Sequence, residues 1–150
     1  MIFPAPAQGR EPAYPENLVR TRDATFLYFQ GAKVVVYFHG NGEDLADSVP
    51  MVSLLRSLGM GVLAVEYPGY GVAGGMPSEQ GAYTAAQSAL DWLRAESGVE
   101  AGRVVLLGQS LGTGDGAHAG LDDRVLDAEE IAERRAKAHG YCRRYSATAF

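Results

Sequence analysis

Three short stretches of this sequence run apolar without a polar alternate: Lys33-Val34-Val35-Val36-Tyr37-Phe38, Gly61-Val62-Leu63-Ala64-Val65 and Arg103-Val104-Val105-Leu106-Leu107. A strand exposed on one face alternates, so a continuous run belongs to a strand covered on both faces, as in a parallel sheet. Between these runs the sequence supplies helices. Ser48 is placed to cap a helix running through Leu58, with Gly59 closing it. After Pro77, Ser78 is placed to cap a second helix, and Gly98 can end it. Within that helix Ala82, Ala85, Ala86, Ala89, Leu90 and Leu93 fall at i, i+3, i+4, i+7, i+8 and i+11, one apolar stripe. Alanines dominate the stripe, so this helix can lie close against a sheet. Strands alternating with helices at this spacing predict βαβ units with right-handed crossovers and helices on both faces.

The flanking segments add detail. Leu18-Val19-Arg20 and Thr25-Phe26-Leu27-Tyr28-Phe29 are two short strand candidates separated by Arg22-Asp23, an N-terminal β-hairpin. Residues 1–16 hold four of the seven prolines, at positions 4, 6, 12 and 15, which predicts an extended Pro-rich arm. A net charge of −5 disfavours a nucleic-acid partner, since phosphate contacts need a basic excess. The later basic residues, Arg134, Arg135, Lys137, Arg143 and Arg144, mix with Glu129, Glu130 and Glu133 and read as a solvated helix face. The lone Cys142 excludes an intrachain disulfide. No apolar run approaches the roughly 18 residues of a membrane span, and the first residues lack a basic n-region. The expectation is a cytoplasmic protein without a transmembrane segment, a leader upstream of residue 1 being left open.

Directly after the third buried run stands Gly108-Gln109-Ser110-Leu111-Gly112, the G-x-S-x-G spacing of a nucleophile elbow. The serine must sit on a tight strand-to-helix turn that lifts its Oγ clear of the sheet. Glycines at Gly108 and Gly112 keep a Cβ from striking the neighbouring elements. His39-Gly40-Asn41-Gly42 follows the first buried run, where such a fold draws its second oxyanion donor. The Asn41 and Leu111 N–H groups are therefore the expected oxyanion pair, with Gly40 and Gly42 letting the loop approach. His39 is expected to be a structural hydrogen-bonding residue beneath that loop. Tyr67-Pro68-Gly69-Tyr70-Gly71 follows the second run, either as a structural turn or as an aromatic wall touching substrate.

These three motifs, in the order VVVYFHGNGEDL, VEYPGYG and VVLLGQSLGTG, resemble the α/β-hydrolase superfamily, and within it the depalmitoylase-like and serine-peptidase-like branch. The Phe3-Pro4-Ala5-Pro6 opening is also similar to that branch. The resemblance implies a partial α/β-hydrolase sheet, mostly parallel, over residues 17–114. It implies Ser110 as nucleophile, acyl-enzyme chemistry on a carboxylic ester, thioester or amide, a small-molecule or acylated substrate, and no cofactor.

The resemblance fades after Gly114. Residues 115–150 read as a Gly-rich linker and a charged C-terminal helix, capped at Asp127 with Glu130 at N3 and ending near His139. Serine needs a histidine base oriented by an acid, and family order places both well beyond the elbow. His139, following Asp122, Asp123 and Asp127, is read either as a candidate base or as a histidine that compensates the dipole at a helix C-terminus, while His118 is expected in an exposed loop. The expectation is a chain truncated or altered near Gly114. The alternative function is then a catalytically incomplete fragment, at most a binding domain, open to self-association through a sheet edge. A metal site from His39, His118, His139 and Cys142 lacks ligand spacing.

Overall fold

A computed structural model describes residues 10, 14–110 and 112. The rest of the arm, Leu111 and residues 113–150 lie outside the described residues, and with them the expected linker, the C-terminal helix, His118, His139 and Cys142.

Five strands form one mixed sheet: β1 (Leu18–Arg20), β2 (Thr25–Phe29), β3 (Val34–Phe38), β4 (Gly61–Glu66) and β5 (Val104–Gly108), in the spatial order β1-β2-β4-β3-β5. The hairpin β1–β2 is antiparallel and joins the sheet through an antiparallel β2–β4 pairing. The strands built from the three apolar runs, β3, β4 and β5, are mutually parallel. Every residue of β3 and β4 is buried, as continuous apolar runs require of central parallel strands.

Helix α1 (Val49–Ser57) links β3 to β4, and α2 (Glu79–Ser97) links β4 to β5. They cover opposite faces. Val52, with Met51 and Leu55 beside it, packs on Leu27, Tyr37, Val62 and Ala64. The α2 residues Ala85, Ala86, Ala89, Leu90 and Leu93 pack on Phe26, Val34, Val36, Leu63 and Val65. The six buried residues of α2 are the six of the predicted stripe. Trp92 adds ring contacts to Phe26 and Tyr28, each with centroids 5.0 Å apart.

The helix ends follow local chemistry, with one departure. Ser78 is extended and its hydroxyl accepts from the Gly81 N–H at 3.0 Å, a side-chain cap. Gly98 ends α2 at φ 65°. The end of α1 is a Schellman turn: Gly59 N–H donates to Arg56 O and Met60 N–H to Leu55 O. Ser48, however, does not cap α1 with its side chain. Its backbone is already helical, and its hydroxyl donates to the Asp44 carbonyl at 2.9 Å. The preceding turn, pinned by Asp44, satisfies Ser48 before it can serve α1. A second departure lies at the end of the arm. Pro15–Asn17 is a 3-10 turn rather than extended chain, with Pro15 at its first position and Asn17 N–H donating to Tyr14 O at 2.9 Å.

Candidate active site

Because β3, β4 and β5 run parallel, the loops leaving their C-terminal ends gather at one edge of the sheet. The strand order also reverses about β3: the chain passes from β3 to β4 through α1 on one face, then back across β3 to β5 through α2 on the other. Such a switch point opens a crevice between the loops of the two diverging strands. Here those loops are His39-Gly40-Asn41-Gly42-Glu43 after β3 and Gln109-Ser110 after β5.

Ser110 is exposed and has φ 53°, a left-handed conformation that L residues other than Asn and Asp seldom adopt. A non-glycine held there is a strain site of the kind that clusters at functional positions. The turn is tied to β3 at its start, where the Gln109 N–H donates to Phe38 O at 3.0 Å, and it closes with Gly112 N–H donating to Gln109 O at 2.9 Å. Gly112 has no alternative. A Cβ there would lie 2.2 Å from Phe38 O and 2.6 Å from Phe38 C, both backbone atoms of a central strand.

The loop after β3 meets this turn directly. A Cβ on Gly40 would stand 3.7 Å from Gln109 O. The Glu43 carboxylate accepts from the Gly40 N–H at 2.9 Å and from Gln109 Nε2 at 3.2 Å. Gln109 Oε1 in turn accepts from the Tyr37 hydroxyl at 2.9 Å. Asn41 and Gly42 are exposed, Gly42 with φ 80°.

Beneath the loop lies His39, wholly buried. Its Nε2 is 2.8 Å from Glu66 Oε1 and its Nδ1 is 3.0 Å from Gly40 O. Both partners present acceptor oxygens, an arrangement that favours the protonated ring, which can donate from both nitrogens. Burial opposes that charge, yet the hydrogen bond and charge of Glu66, the Gly40 carbonyl and the charge of Glu43 outweigh it. The pKa is held above its ordinary value of 6.5. The other Glu66 oxygen accepts from the Leu45 N–H at 3.0 Å, so the carboxylate anchors both ends of the loop.

The Tyr67-to-Gly71 segment is a turn whose two aromatic rings are buried at 2% and 1% exposure, too little to form an open wall. Tyr67 OH donates to His39 O at 2.8 Å, and Tyr70 OH donates to Asn41 Oδ1 at 2.9 Å. From outside, Arg10 reaches Asp47 at 3.0 Å and Asp44 at 3.4 Å.

Among the predicted site residues, the structure brings Ser110, Gly112, Gly108 and the His39-to-Gly42 loop to one end of the sheet, with His39 buried beneath the loop. Leu111 and His139 lie outside the described residues. The sequence reading missed Glu43, Gln109 and Glu66. Glu43 carried a signal, because a carboxylate three residues after a turn glycine is spaced to return to that glycine's N–H, as in a capping box. Gln109 stood in a variable position of its motif, and Glu66 had no local mark. A cavity of about 560 Å³ lies elsewhere, between the β1–β2 turn and the start of α2; its lining includes neither Ser110 nor the Gly40 loop. Among the described residues no helix is long and apolar enough to cross a membrane.

No family model matches the sequence. Individual relatives do. The uncharacterized protein YfhR of Salmonella typhi is 35% identical over 116 residues, covering 69% of this chain and 40% of YfhR. Protein ABHD12B of Homo sapiens is 40% identical over 91 residues, covering 59% of this chain and 25% of its own length. The α/β-hydrolase domain-containing protein WAV2 of Arabidopsis thaliana is 36% identical over 84 residues, covering 55% and 27%. Among solved structures, an α/β-hydrolase from Vibrio vulnificus superposes with a TM-score of 0.52 at 26% identity, covering 59% of this chain and 32% of that one. The Pyrococcus furiosus esterase Pf2001 shares the fold, with a TM-score of 0.65 at 16% identity, covering 83% and 55%. With the sheet, the elbow and these likenesses together, the chain belongs to the α/β-hydrolase superfamily. It spans 40% of YfhR and 25% of ABHD12B.

Proposed function

We propose that the protein is a serine hydrolase that cleaves a carboxylic ester, thioester or amide through an acyl-enzyme on Ser110. The observation that carries this reading is the left-handed Ser110, exposed at the end of β5 and tied by Gln109 to the loop after β3. In the first half-reaction Oγ attacks the carbonyl carbon while its proton passes to a base. The tetrahedral oxyanion collapses, and the alcohol, thiol or amine leaves with that proton. Water then attacks the acyl carbon and returns the serine.

In this reading the Asn41 and Leu111 N–H groups receive the oxyanion. Gly40 is not a donor, because its N–H is engaged by Glu43. His39 is not the base, since both of its ring nitrogens are taken by Gly40 O and Glu66. The base is then a histidine outside the described residues, and His139, preceded by Asp122, Asp123 and Asp127, is the candidate. The resemblance to depalmitoylase-like relatives favours acylated substrates.

One observation favours a second reading, a binding domain without turnover: His39, the one histidine among the described residues, is committed to structure. Hydrolysis of p-nitrophenyl esters and acyl thioesters separates the two. Turnover that disappears in Ser110→Ala supports the hydrolase; turnover equal in both proteins, or none in either, refutes it for this chain and leaves the binding reading.

A further inference from the structure

One carboxylate joins the loop after β3 to the elbow after β5, linking residues 66 apart in sequence. Glu43 closes a turn on Gly40 twice: its own N–H donates to Gly40 O at 3.3 Å, and its Oε2 accepts from the Gly40 N–H at 2.9 Å. Its other oxygen, Oε1, takes a hydrogen from Gln109 Nε2 at 3.2 Å. Gln109 is itself oriented, because its Oε1 accepts from Tyr37 OH, which rises from β3. Donors and acceptors thus run in one direction, from Tyr37 through Gln109 to Glu43, and the Gly40 amide closes the far end. Glu43 and Gln109 are both half-buried, where such hydrogen bonds to a charged group are worth more than neutral ones on the open surface.

We propose that Glu43 and Gln109 form a latch that holds the loop after β3 at a fixed distance from Ser110, making both of them positioning residues for the oxyanion pocket. Neither side chain needs to touch substrate. Asn41 directly follows the latched Gly40, and Ser110 directly follows Gln109, so the latch sets the separation between a proposed oxyanion donor and the nucleophile. Errors near 1 Å in such a separation are enough to cost catalysis heavily. The catalytic part of this proposal rests on the hydrolase reading; the structural part does not.

The test uses the full chain with Glu43→Ala, Gln109→Ala, their combination, and the reciprocal exchange E43Q/Q109E. The exchange preserves net charge and the number of hydrogen bonds while reversing the central one: Gln at 43 accepts from Gly40 and donates to Glu at 109, which also accepts from Tyr37. Two readouts are taken, hydrogen exchange at the Gly40 amide and kcat with KM for ester hydrolysis. Gln109→Ala is the decisive variant, since Gln109 does not itself contact the Gly40 amide. Gly40 exchange should accelerate at least about tenfold in Gln109→Ala, with kcat falling about tenfold or more and KM little changed. The double variant should be no worse than the worse single, and the reciprocal exchange should recover most of both signals. Unaltered Gly40 exchange in Gln109→Ala, or additive losses in the double variant, overturns the latch. The two readings fail separately. Accelerated exchange in a chain with no Ser110-dependent turnover refutes the hydrolase and keeps the structural latch; Ser110-dependent turnover indifferent to both substitutions refutes the positioning role and keeps the hydrolase. Should Glu43→Ala unfold, E43Q/Q109E and Gln109→Ala still decide.

Discussion

Ser110 holds φ 53° against the preference of its own backbone, and that strain should be measurable without any substrate. An L residue in the left-handed region carries about 1–2 kcal/mol of steric cost, which glycine escapes. Glycine in turn gives back roughly 0.4–1 kcal/mol, because its unfolded chain is freer. Comparing Ser110→Gly with Ser110→Ala removes the hydroxyl from both sides of the balance and leaves the strain. The glycine variant should be the more stable by about 0.5–1 kcal/mol, a Tm difference of roughly 2–3 °C for a chain of this length. Thermal melting followed by circular dichroism at fixed pH resolves this. At an ordinary helical or extended position the order reverses, with alanine the more stable. An alanine variant equal to or above the glycine variant would therefore show that Ser110 is not held in the left-handed conformation, and the elbow geometry would be wrong.

Gly112→Ala sets a Cβ 2.2 Å from Phe38 O, so strand or turn must shift; a loss of about 3 kcal/mol in chemical denaturation is expected, and a loss under about 0.5 kcal/mol would contradict the packing. Ser78→Ala removes the side-chain cap of α2 and should cost about 1 kcal/mol, whereas Ser48→Ala removes no side-chain cap of α1 and acts only through the Asp44 turn. His39 has its pKa raised on folding by Glu66, so between 6.5 and the folded value the native state binds more protons than the unfolded one. Stability from this pair is complete below pH 6.5 and falls as pH rises through the folded pKa. Glu66→Gln should flatten the decline in Tm across that window, and an equally steep decline in the variant would assign it to another group.

The parts of the fold that repeat or alternate were legible in the residues, and the parts that depend on distant pairing were not. Unbroken apolar runs marked β3, β4 and β5, and helical spacing marked the buried stripe of α2 residue by residue. The strand order was not written locally, since parallel strands are joined through helices and their neighbours are fixed only by packing. Ser48 shows how a sound local rule loses to its surroundings: the Asp44 carbonyl claims its hydroxyl before α1 can. At the site, the elbow was visible because its backbone demands a fixed spacing of small residues. The links His39–Glu66 and Glu43–Gln109 were invisible because they join side chains 27 and 66 residues apart, and no periodicity records such a pair. His39 alone hinted at its half, as a histidine directly beneath a glycine-rich loop.

The most direct measurement is mass-spectrometric mapping of the chain after reaction with a fluorophosphonate, which reports whether the strained serine at the end of β5 is a nucleophile. A single phosphonyl adduct on Ser110, absent from Ser110→Ala and slowed by Gln109→Ala, is the predicted result. An adduct on another residue, or a native fold that leaves Ser110 unmodified, would contradict the assignment of Ser110 as the attacking group.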